Sequence, residues 1–433
     1  MTEEHPLFFS RSPSGELCAG GLSLAAIVEQ VGTPCYIYHF DAIQALAQKW
    51  QLAFHNQPER LCYSVKANSN LAVLRLFADA GWSFDIVSGG ELQRLQSIGV
   101  TGDRIRFSGV GKTASELRAA VDAGLKAIHL ESFAEAKQLQ AIAAAQNLKV
   151  AVSVRVNPDV RAGGHSAITT GRADDKFGVP LEEALALYQY LLSAPELEPI
   201  GLAFHIGSQI ADAAAYASAI DKLSALVEQL RTAGIPLQEL DIGGGMAAGD
   251  ESAMLLPQQL VEQLQPAVER LKLHLVASPG RALVACAGVL VTQMLYLKQM
   301  GSRQIAVVDA AMNDYIRPAL YDLQARIEPV FLAADNTQSV WVAGCVCEST
   351  DYFVQSAIDI AGGLDSDASV LLAILNTGAY GMSMSSNYNS RFRPPEVAVE
   401  QNAWRLIRRR ENIGDLVAAE RPFFLNDWGE RSG

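Results

Sequence analysis

The sequence has few features that would indicate a metal centre, a disulfide framework or a membrane span. Its six cysteines include no C-x-x-C pair, and four of them have apolar neighbours, which argues against zinc and disulfides and favours a reducing compartment. The most apolar run, Leu283–Leu297, is interrupted by Thr292 and Gln293 and is too short to cross a bilayer. The acidic N-terminus lacks the basic and apolar regions of a signal peptide. We therefore expect a cytoplasmic protein without a metal or a membrane partner.

Positive charge is also scarce. The chain has 34 lysines and arginines against 47 aspartates and glutamates, and its net charge is −13. This balance argues against nucleic acid as a partner, because a phosphate backbone requires basic patches. A small-molecule pocket can still be locally basic. With 433 residues, 49% of them hydrophobic, the chain fits a globular protein of two domains better than one.

The sequence does contain a regular alternation of short apolar strands and alanine-rich helical segments between about residues 60 and 280. Strands alternating with helices predict parallel βαβ units, and eight units match a (β/α)8 TIM barrel in number and size. An open doubly wound sheet is the alternative, weakened by the lack of a G-x-G-x-x-G motif. The predicted strands are Leu61–Val65, Ser83–Val87, Ile105–Phe107, Ala127–Leu130, Val150–Val156, Ile200–Phe204, Leu240–Ile242 and Leu273–Ala277.

After residue 283 strand-like runs replace this alternation. They predict a β-rich second domain, a sandwich or small barrel, which the early strand Cys35–Tyr38 joins. We thus expect the barrel at residues 40–285 and the β-rich domain at residues 1–39 and 286–433. The predicted strands of the second domain are Gly288–Leu297, Gln304–Val308, Ser339–Val346, Ser369–Leu375, Glu396–Glu400 and Trp404–Arg408.

Polar residues follow the carboxyl ends of the predicted barrel strands, where a barrel's loops form its active site. Lys66 follows the first strand, and a desolvated lysine amine can form a Schiff base. Gly243, Gly244 and Gly245 follow the seventh strand, and Arg281 follows the eighth. Backbone N–H groups of glycines and a guanidinium both bind phosphate. This combination predicts pyridoxal 5'-phosphate (PLP), although a lysine at a strand end and a tight glycine turn are the plainer interpretations.

His205 ends the sixth strand, and Ser208 follows it closely. A flat imidazole could stack on the ring of such a cofactor, and the serine hydroxyl could bind its phosphate. A lone histidine on an apolar strand is more often a core residue, but the position at a strand end favours a role in the site.

Eleven short segments, in order along nearly the whole chain, resemble the diaminopimelate decarboxylases, which belong to the alanine-racemase-like (fold type III) PLP-dependent decarboxylases. Each segment is only moderately specific, and the set is highly specific. The segments are YSVKANSN (63–70), DIVSGGEL (85–92), FSGVGKT (107–113), VRVNPDV (154–160), KFGV (176–179), HIGSQI (205–210), DIGGGM (241–246), SPGR (278–281), MNDYIRPALY (312–321), GCVCESTD (344–351) and GAYGMSMSSNYNSRFRPPEV (378–397).

The resemblance implies decarboxylation of meso-2,6-diaminopimelate to L-lysine, with Lys66 bonded to PLP and His205 stacked on its ring. It implies a homodimer in which Cys347, the proton donor, and Glu348 reach the pocket of the other subunit. The phosphate and ring contacts implied are those of Asp85, Ser208, Gly243, Gly244, Gly245, Ser278, Gly280, Arg281 and Tyr380. The substrate contacts implied are those of Arg281, Arg317, Tyr321, Glu348 and Tyr380.

The chemistry of the substrate agrees with these roles. The unreacted end of diaminopimelate carries a carboxylate and an ammonium, and Arg317 and Glu348 offer the opposite charges. A substrate without the distal carboxylate would leave Arg317 unpaired, at a cost of about 1–3 kcal/mol or more. A cysteine of ordinary pKa is mostly a thiol at neutral pH and can act as an acid.

Ser278 departs from the resemblance, because the related proteins have a glutamate there that pairs with the pyridine nitrogen. A serine offers only a neutral hydrogen bond, which should weaken the cofactor as an electron sink. The loop Gly164–Ala167 and Ala203 depart as well. These differences leave two other hypotheses open: a PLP decarboxylase of another amino acid, carrier-linked or from polyamine or secondary metabolism, and a decarboxylase-like binding protein without turnover.

Overall fold

The computed structural model describes residues 8–160, 176–249, 254–332, 337–361 and 370–421. The predicted departure at Gly164–Ala167 lies outside these residues. The chain divides into two compact units, one formed by Gln44–Val284 and the other by Met1–Ile43 with Ala285–Gly433. Within the described ranges no helix has the length and apolar character that a transmembrane span requires.

The first unit is an eight-stranded parallel barrel with helices between the strands, which confirms the predicted fold. Neighbouring strands pair in sequence order, and the last strand meets the first, since the N–H of Cys62 donates to the carbonyl of Ala277 at 2.8 Å. A short strand, Val179–Pro180, adds to the fifth. The barrel strands are Cys62–Ser64, Ser83–Ile86, Ile105–Phe107, Ala127–Leu130, Val150–Asn157, Leu197–Ala203, Glu239–Asp241 and His274–Val276.

Four helices of this unit begin at residues whose side chains satisfy their first backbone N–H groups. Asn70, Ser88 and Ser132 each accept such a bond, and Thr113 forms a capping box with Glu116. These four helices start soon after a strand ends, so the loops that connect them to their strands are short. The helices are Phe40–Ala53, Leu71–Asp79, Gly89–Ser97, Ala114–Asp122, Phe133–Gln146, Leu181–Ser193, Ala214–Thr232, Pro257–Leu271 and Arg281–Val284.

The interior of the barrel carries charged groups where branched apolar side chains are usual. Arg106 on the third strand forms a double hydrogen bond with Glu239 on the seventh, one arm of which measures 3.0 Å. These strands are not neighbours, so the ion pair crosses the interior. His129 and Asp241 are also buried there, 3% exposed each. A layer of buried ionisable groups therefore lies below the loops that carry the predicted site.

The second unit contains a mixed sheet, which confirms the predicted β-rich domain. Its seven main strands run in the order Tyr352–Ala361, Thr337–Ala343, Arg303–Val308, Gly288–Met300, Cys35–His39, Glu396–Glu400 and Ala403–Arg408. Leu371–Ile374 pairs with Gly288–Met300 and with the short strand Ile327–Pro329. The sequence did not predict Tyr352–Ala361, because polar residues at 355, 356 and 359 interrupt its apolar pattern.

One face of this sheet is covered by an N-terminal segment. The small sheet of Ser10–Arg11, Leu17–Ala19 and Leu22–Ser23 leads into the helix Leu24–Val31, whose Leu24, Ile27 and Val28 are buried. They pack in one core cluster with Ile37, Val289 and Val397. Two short helices, Arg317–Tyr321 and Ile413–Val417, complete the described part of the unit.

Candidate active site

Lys66 lies at the mouth of the barrel, in a 3-10 turn, Val65–Ala67, that directly follows the first strand. The loop after the eighth strand packs against this turn, since a Cβ added at Gly280 would lie 2.9 Å from the Cβ of Ala67 and 3.0 Å from that of Ser64. The sequence predicted a desolvated amine. In the chain itself the Lys66 side chain is exposed, so its own protein surroundings do not bury it.

The three glycines after the seventh strand form a tight cradle beside this loop. Gly243 and Gly245 have φ values of 69° and 100°, which favour glycine. A Cβ at Gly244 would collide with the carbonyl oxygen of Ser278, and one at Gly243 would lie 2.8 Å from Nδ1 of His205. Side chains are thus excluded, and the backbone is left bare for a close approach by an anion.

A cation and a hydroxyl lie next to each other among the loops after the sixth and eighth strands. Nη2 of Arg281 is 3.4 Å from Oγ of Ser208, and the Arg281 side chain is buried. Ser278, three residues before Arg281, is also buried. A guanidinium, two hydroxyls and a glycine cradle together suit a phosphate with its ester-linked ring.

His205 packs at the end of the sixth strand, against the glycine cradle. Burial, followed by the positive charges of Arg155 and Lys66, holds the pKa of His205 well below its usual range. The imidazole is therefore neutral at physiological pH. A neutral ring can lie flat against a pyridine ring without adding charge.

Asp85 is the last residue but one of the second strand and is buried beside the first strand. Its carboxylate accepts hydrogen bonds from the hydroxyls of Ser64, at 3.3 Å, and Ser108. Glu91, on the helix that follows, accepts from the N–H of Val87 at 2.7 Å, and burial raises its pKa to about 7. Acidic groups thus lie on the same side of the mouth as Lys66.

Glu131 and Arg155 form a further ion pair at the mouth, at 3.0 Å, that the sequence did not assign to the site. Glu131 also accepts from the N–H groups of Gly109, at 3.0 Å, and Gly178, at 2.9 Å, so it ties three loops together. Glu131 directly follows the predicted strand Ala127–Leu130, and Arg155 is a polar residue near the end of the predicted strand Val150–Val156. Their pairing across neighbouring strands was not readable from the sequence.

These barrel residues fit PLP. An exposed amine, a glycine cradle with a guanidinium, and a neutral imidazole lie around one mouth, and they match the aldehyde, the phosphate and the ring of that cofactor. Among the described residues there is no group of three or more metal-binding side chains.

In the second unit, Arg317 is a buried cation at the start of the helix Arg317–Tyr321. It is 6% exposed, and no described carboxylate lies within ion-pair distance of it. Its Nε has no hydrogen-bond partner among the described residues, and its guanidinium carbon lies 5.8 Å from the ring centre of Tyr321. A buried and uncompensated guanidinium is costly, so this group requires an anion from outside the described chain.

Cys347 and Glu348 lie on a turn that Asp351 organises in the same unit. The Asp351 carboxylate accepts from the N–H groups of Met312, at 2.7 Å, and Val346, at 3.0 Å. This arrangement leaves Cys347 exposed, with its N–H bonded to the side chain of Asn389 at 2.8 Å. Glu348 accepts hydrogen bonds that lower its pKa, and the bond from the N–H of Thr350 has the largest effect. Glu348 is therefore ionised at neutral pH.

The neighbouring Cys345 behaves as a packed residue. Its Sγ donates to the carbonyl of Asp309 at 3.2 Å, and burial raises the pKa of this thiol to about 11.

Tyr380, also in the second unit, has a φ of 57° and is half-buried. A tyrosine in this conformation is uncommon, and such conformations cluster at functional sites.

Comparison with known sequences gives a consistent result. Residues 40–285 match the sequence model of the pyridoxal binding domain of pyridoxal-dependent decarboxylases. The chain is 41% identical over 412 residues to a diaminopimelate decarboxylase of Pseudomonas fluorescens, with 94% of this chain and 97% of that protein covered. It is 39% identical over 423 residues to the diaminopimelate decarboxylase of Vibrio cholerae, with 95% and 98% covered.

Solved structures agree with the sequence comparison. Diaminopimelate decarboxylase from Helicobacter pylori, complexed with L-lysine, is similar with a TM-score of 0.86 and 36% identity, over 92% of this chain and 99% of that chain. The enzyme from M. jannaschii, in co-complex with L-lysine, gives a TM-score of 0.88 at 30% identity, over 95% and 97%.

Proposed function

The chain belongs to the diaminopimelate decarboxylase family, and on that basis we propose a role for each residue of the candidate site. The protein is a PLP-dependent amino-acid decarboxylase that converts diaminopimelate to lysine and carbon dioxide. We propose that residues 40–285 bind the cofactor and that residues 1–39 with 286–433 form the β-rich domain. All six cysteines are free thiols, which supports a cytoplasmic location.

Lys66 would hold the cofactor through its Nζ, and its phosphate would occupy the cradle of Gly243, Gly244 and Gly245. Arg281, Ser208 and Tyr380 would add contacts to that phosphate. The neutral imidazole of His205 would lie on the ring, with Asp85, Ser278 and Gly280 around its edge. When bound, PLP supplies an electron sink for the electron pair that remains when carbon dioxide leaves.

The proposal that diaminopimelate is the substrate rests mainly on Arg317. The observation is that its guanidinium is buried without a carboxylate within ion-pair distance in the described chain. The distal carboxylate of diaminopimelate would satisfy that charge, and Tyr321 and Arg281 would contact the same carboxylate. Glu348 is ionised and would pair with the distal ammonium. A simple diamine or ornithine lacks the distal carboxylate and leaves Arg317 unpaired.

We propose that the enzyme works as a homodimer with shared sites. Cys347 and Glu348 lie on the turn Gly344–Asp351, and Cys347 is exposed. A proton donor works best where water is excluded, so a second subunit would have to cover this turn. The partner subunit's Cys347 would then donate its Sγ–H proton to the carbon that has lost carbon dioxide.

A substrate panel with the PLP-loaded protein tests the function. We expect carbon dioxide release from diaminopimelate, with lysine as the product, and none from lysine, ornithine or arginine. Release from ornithine or arginine at a comparable rate would contradict the role of Arg317. Activity on none of these amino acids, despite bound PLP, would favour a binding protein without turnover.

Ser278 provides a second prediction. The change Ser278→Glu is expected to raise kcat, by up to about tenfold, because a carboxylate would keep the ring nitrogen protonated and strengthen the electron sink. Ser278→Gln is the matched control, since it has the same length without the charge and should give no gain. Steady-state kinetics on diaminopimelate measure both. A sharp fall with Ser278→Glu would mean that the serine is adapted to this site.

A further inference from the structure

A row of four polar side chains runs through the barrel interior from Asp241, on the seventh strand, to Asp85, on the second. Oδ2 of Asp241 lies 3.7 Å from Nε2 of His129. Nδ1 of His129 lies 3.1 Å from Oγ of Ser108, and that hydroxyl donates to Oδ1 of Asp85. Three of the four are buried below 7% exposure: Asp85, His129 and Asp241.

The hydrogen positions along this row follow from the chemistry of its members. Ser108 has one proton and gives it to Asp85, so it must accept from Nδ1–H of His129. A neutral His129 then presents the lone pair of Nε2 to Asp241. Nε2 has no hydrogen-bond partner among the described residues, and a shift of roughly 0.8 Å would bring Asp241 to bonding distance. An ionised Asp241 would repel that lone pair, whereas a protonated one would donate to it.

The surrounding charges favour this arrangement. Burial raises the pKa of Asp241 to about 7, an effect that Asp85 and Glu239 strengthen and that Arg106 and the N–H of Gly243 oppose. Burial, with the nearby cations Arg106, Lys112 and Arg155, holds the pKa of His129 well below its usual range. Asp241 is therefore about half protonated near pH 7 and mostly protonated below it, whereas His129 does not hold a second proton.

We propose that Asp241, His129 and Ser108 form a proton relay to Asp85. In the transfer, the O–H bond of Asp241 breaks as Nε2–H forms on His129. The Nδ1–H bond then breaks as a new O–H forms on Ser108, whose original proton passes to Oδ1 of Asp85. One proton moves from Asp241 to Asp85, one negative charge moves the other way, and no other reactant is needed.

The transfer gives Asp85 a neutral state without the entry of water. Asp85 pairs in register with Ser64, two residues before Lys66. The negative charge of an ionised Asp85 therefore lies near the turn that carries Lys66. When the Lys66 amine loses its positive charge, the negative charge of an ionised Asp85 loses part of its electrostatic compensation. The relay then moves the negative charge to Asp241, whose ionised form the positive charge of Arg106 favours. This use of the relay rests on the proposed function of Lys66, whereas the relay itself does not.

Infrared spectroscopy of the protein without PLP tests the buried proton directly. Glu91 has a pKa in the same range, so the test is the difference spectrum between the unmodified protein and Asp241→Asn. We expect the C=O band of a protonated, buried carboxyl group in that difference near neutral pH. Its absence from the difference between about pH 5 and pH 8 would overturn the relay. This result is independent of PLP and substrate, so it separates the relay from the proposed function.

Kinetics of the PLP-loaded enzyme distinguish a relay from a row that only orients Asp85. Asp241→Asn keeps an N–H donor toward His129 and an acceptor for Gly243, but it cannot release its proton. The relay predicts that Asp241→Asn and Ser108→Ala each lower kcat at least about tenfold with little change in KM, whereas Ser108→Thr, which keeps the hydroxyl, is nearly normal. If Asp241→Asn keeps full kcat while Ser108→Ala loses it, the row is only structural and the relay is wrong.

Discussion

Replacing Arg317 by methionine is expected to lower kcat/KM for diaminopimelate by about 30-fold to several thousandfold. Removing one partner of a buried charge pair costs about 2–5 kcal/mol, and this range converts to that factor. The interaction is made at the end of the substrate that does not react, so most of the loss should fall on KM. Steady-state kinetics over a wide range of substrate concentration will separate the two parameters.

The change Arg317→Met should not destabilise the protein in the absence of ligand. Methionine fills similar volume without a buried charge, so the unfolding temperature without ligand should stay equal or rise. Lysine retains the distal carboxylate, so it should raise the unfolding temperature of the unmodified protein and not that of Arg317→Met. Arg326→Met is the matched control, because Arg326 is exposed and pairs with Glu328 at 3.1 Å. Equal losses in both variants, or full activity in Arg317→Met, would contradict the assignment.

Mixing two inactive variants, Lys66→Ala and Cys347→Ala, is expected to restore about a quarter of the normal activity. Random exchange makes half of the dimers mixed, and each mixed dimer contains one intact site of two if Lys66 and the partner subunit's Cys347 act together. The physical reason is the exposure of Cys347, which a single chain leaves in water. Activity is measured before and after exchange, with the chains carrying different tags.

Cys345→Ala supplies the control for this experiment. Cys345 lies two residues away, but its thiol is bonded to the carbonyl of Asp309, so the variant should be active alone. No recovery of activity, in spite of mixed dimers isolated through both tags, would show that each chain builds its own site.

The strands of the barrel could be predicted because each combines a short apolar run with a polar or glycine-rich end. Lys66, His205 and the glycine cradle could be placed at one mouth for the same reason. The ion pair of Arg106 with Glu239 could not be predicted, because two residues 133 positions apart meet across the interior of a closed barrel. A single charged residue within a three-residue strand gives no sign of its partner.

Two further features could not be predicted from the sequence, for different reasons. Polar residues interrupt the apolar pattern of Tyr352–Ala361, which lies at the edge of its sheet and, among the described strands, pairs on one side only. The sequence also predicted that Lys66 is desolvated, whereas its side chain is exposed in the chain itself. Burial of that amine depends on what binds over it, and local sequence carries no information about this.

The central claim is that the amine of Lys66 and the anion cradle of the seventh strand hold one cofactor across the barrel mouth. Its most direct test is to load the protein with PLP, reduce the bond with borohydride, and identify the modified peptide by mass spectrometry. We predict a single modified lysine, Lys66, and no modification in Lys66→Ala. A label on Lys112, whose Nζ already bonds to Glu135 at 2.6 Å, or on surface lysines alone would contradict the claim.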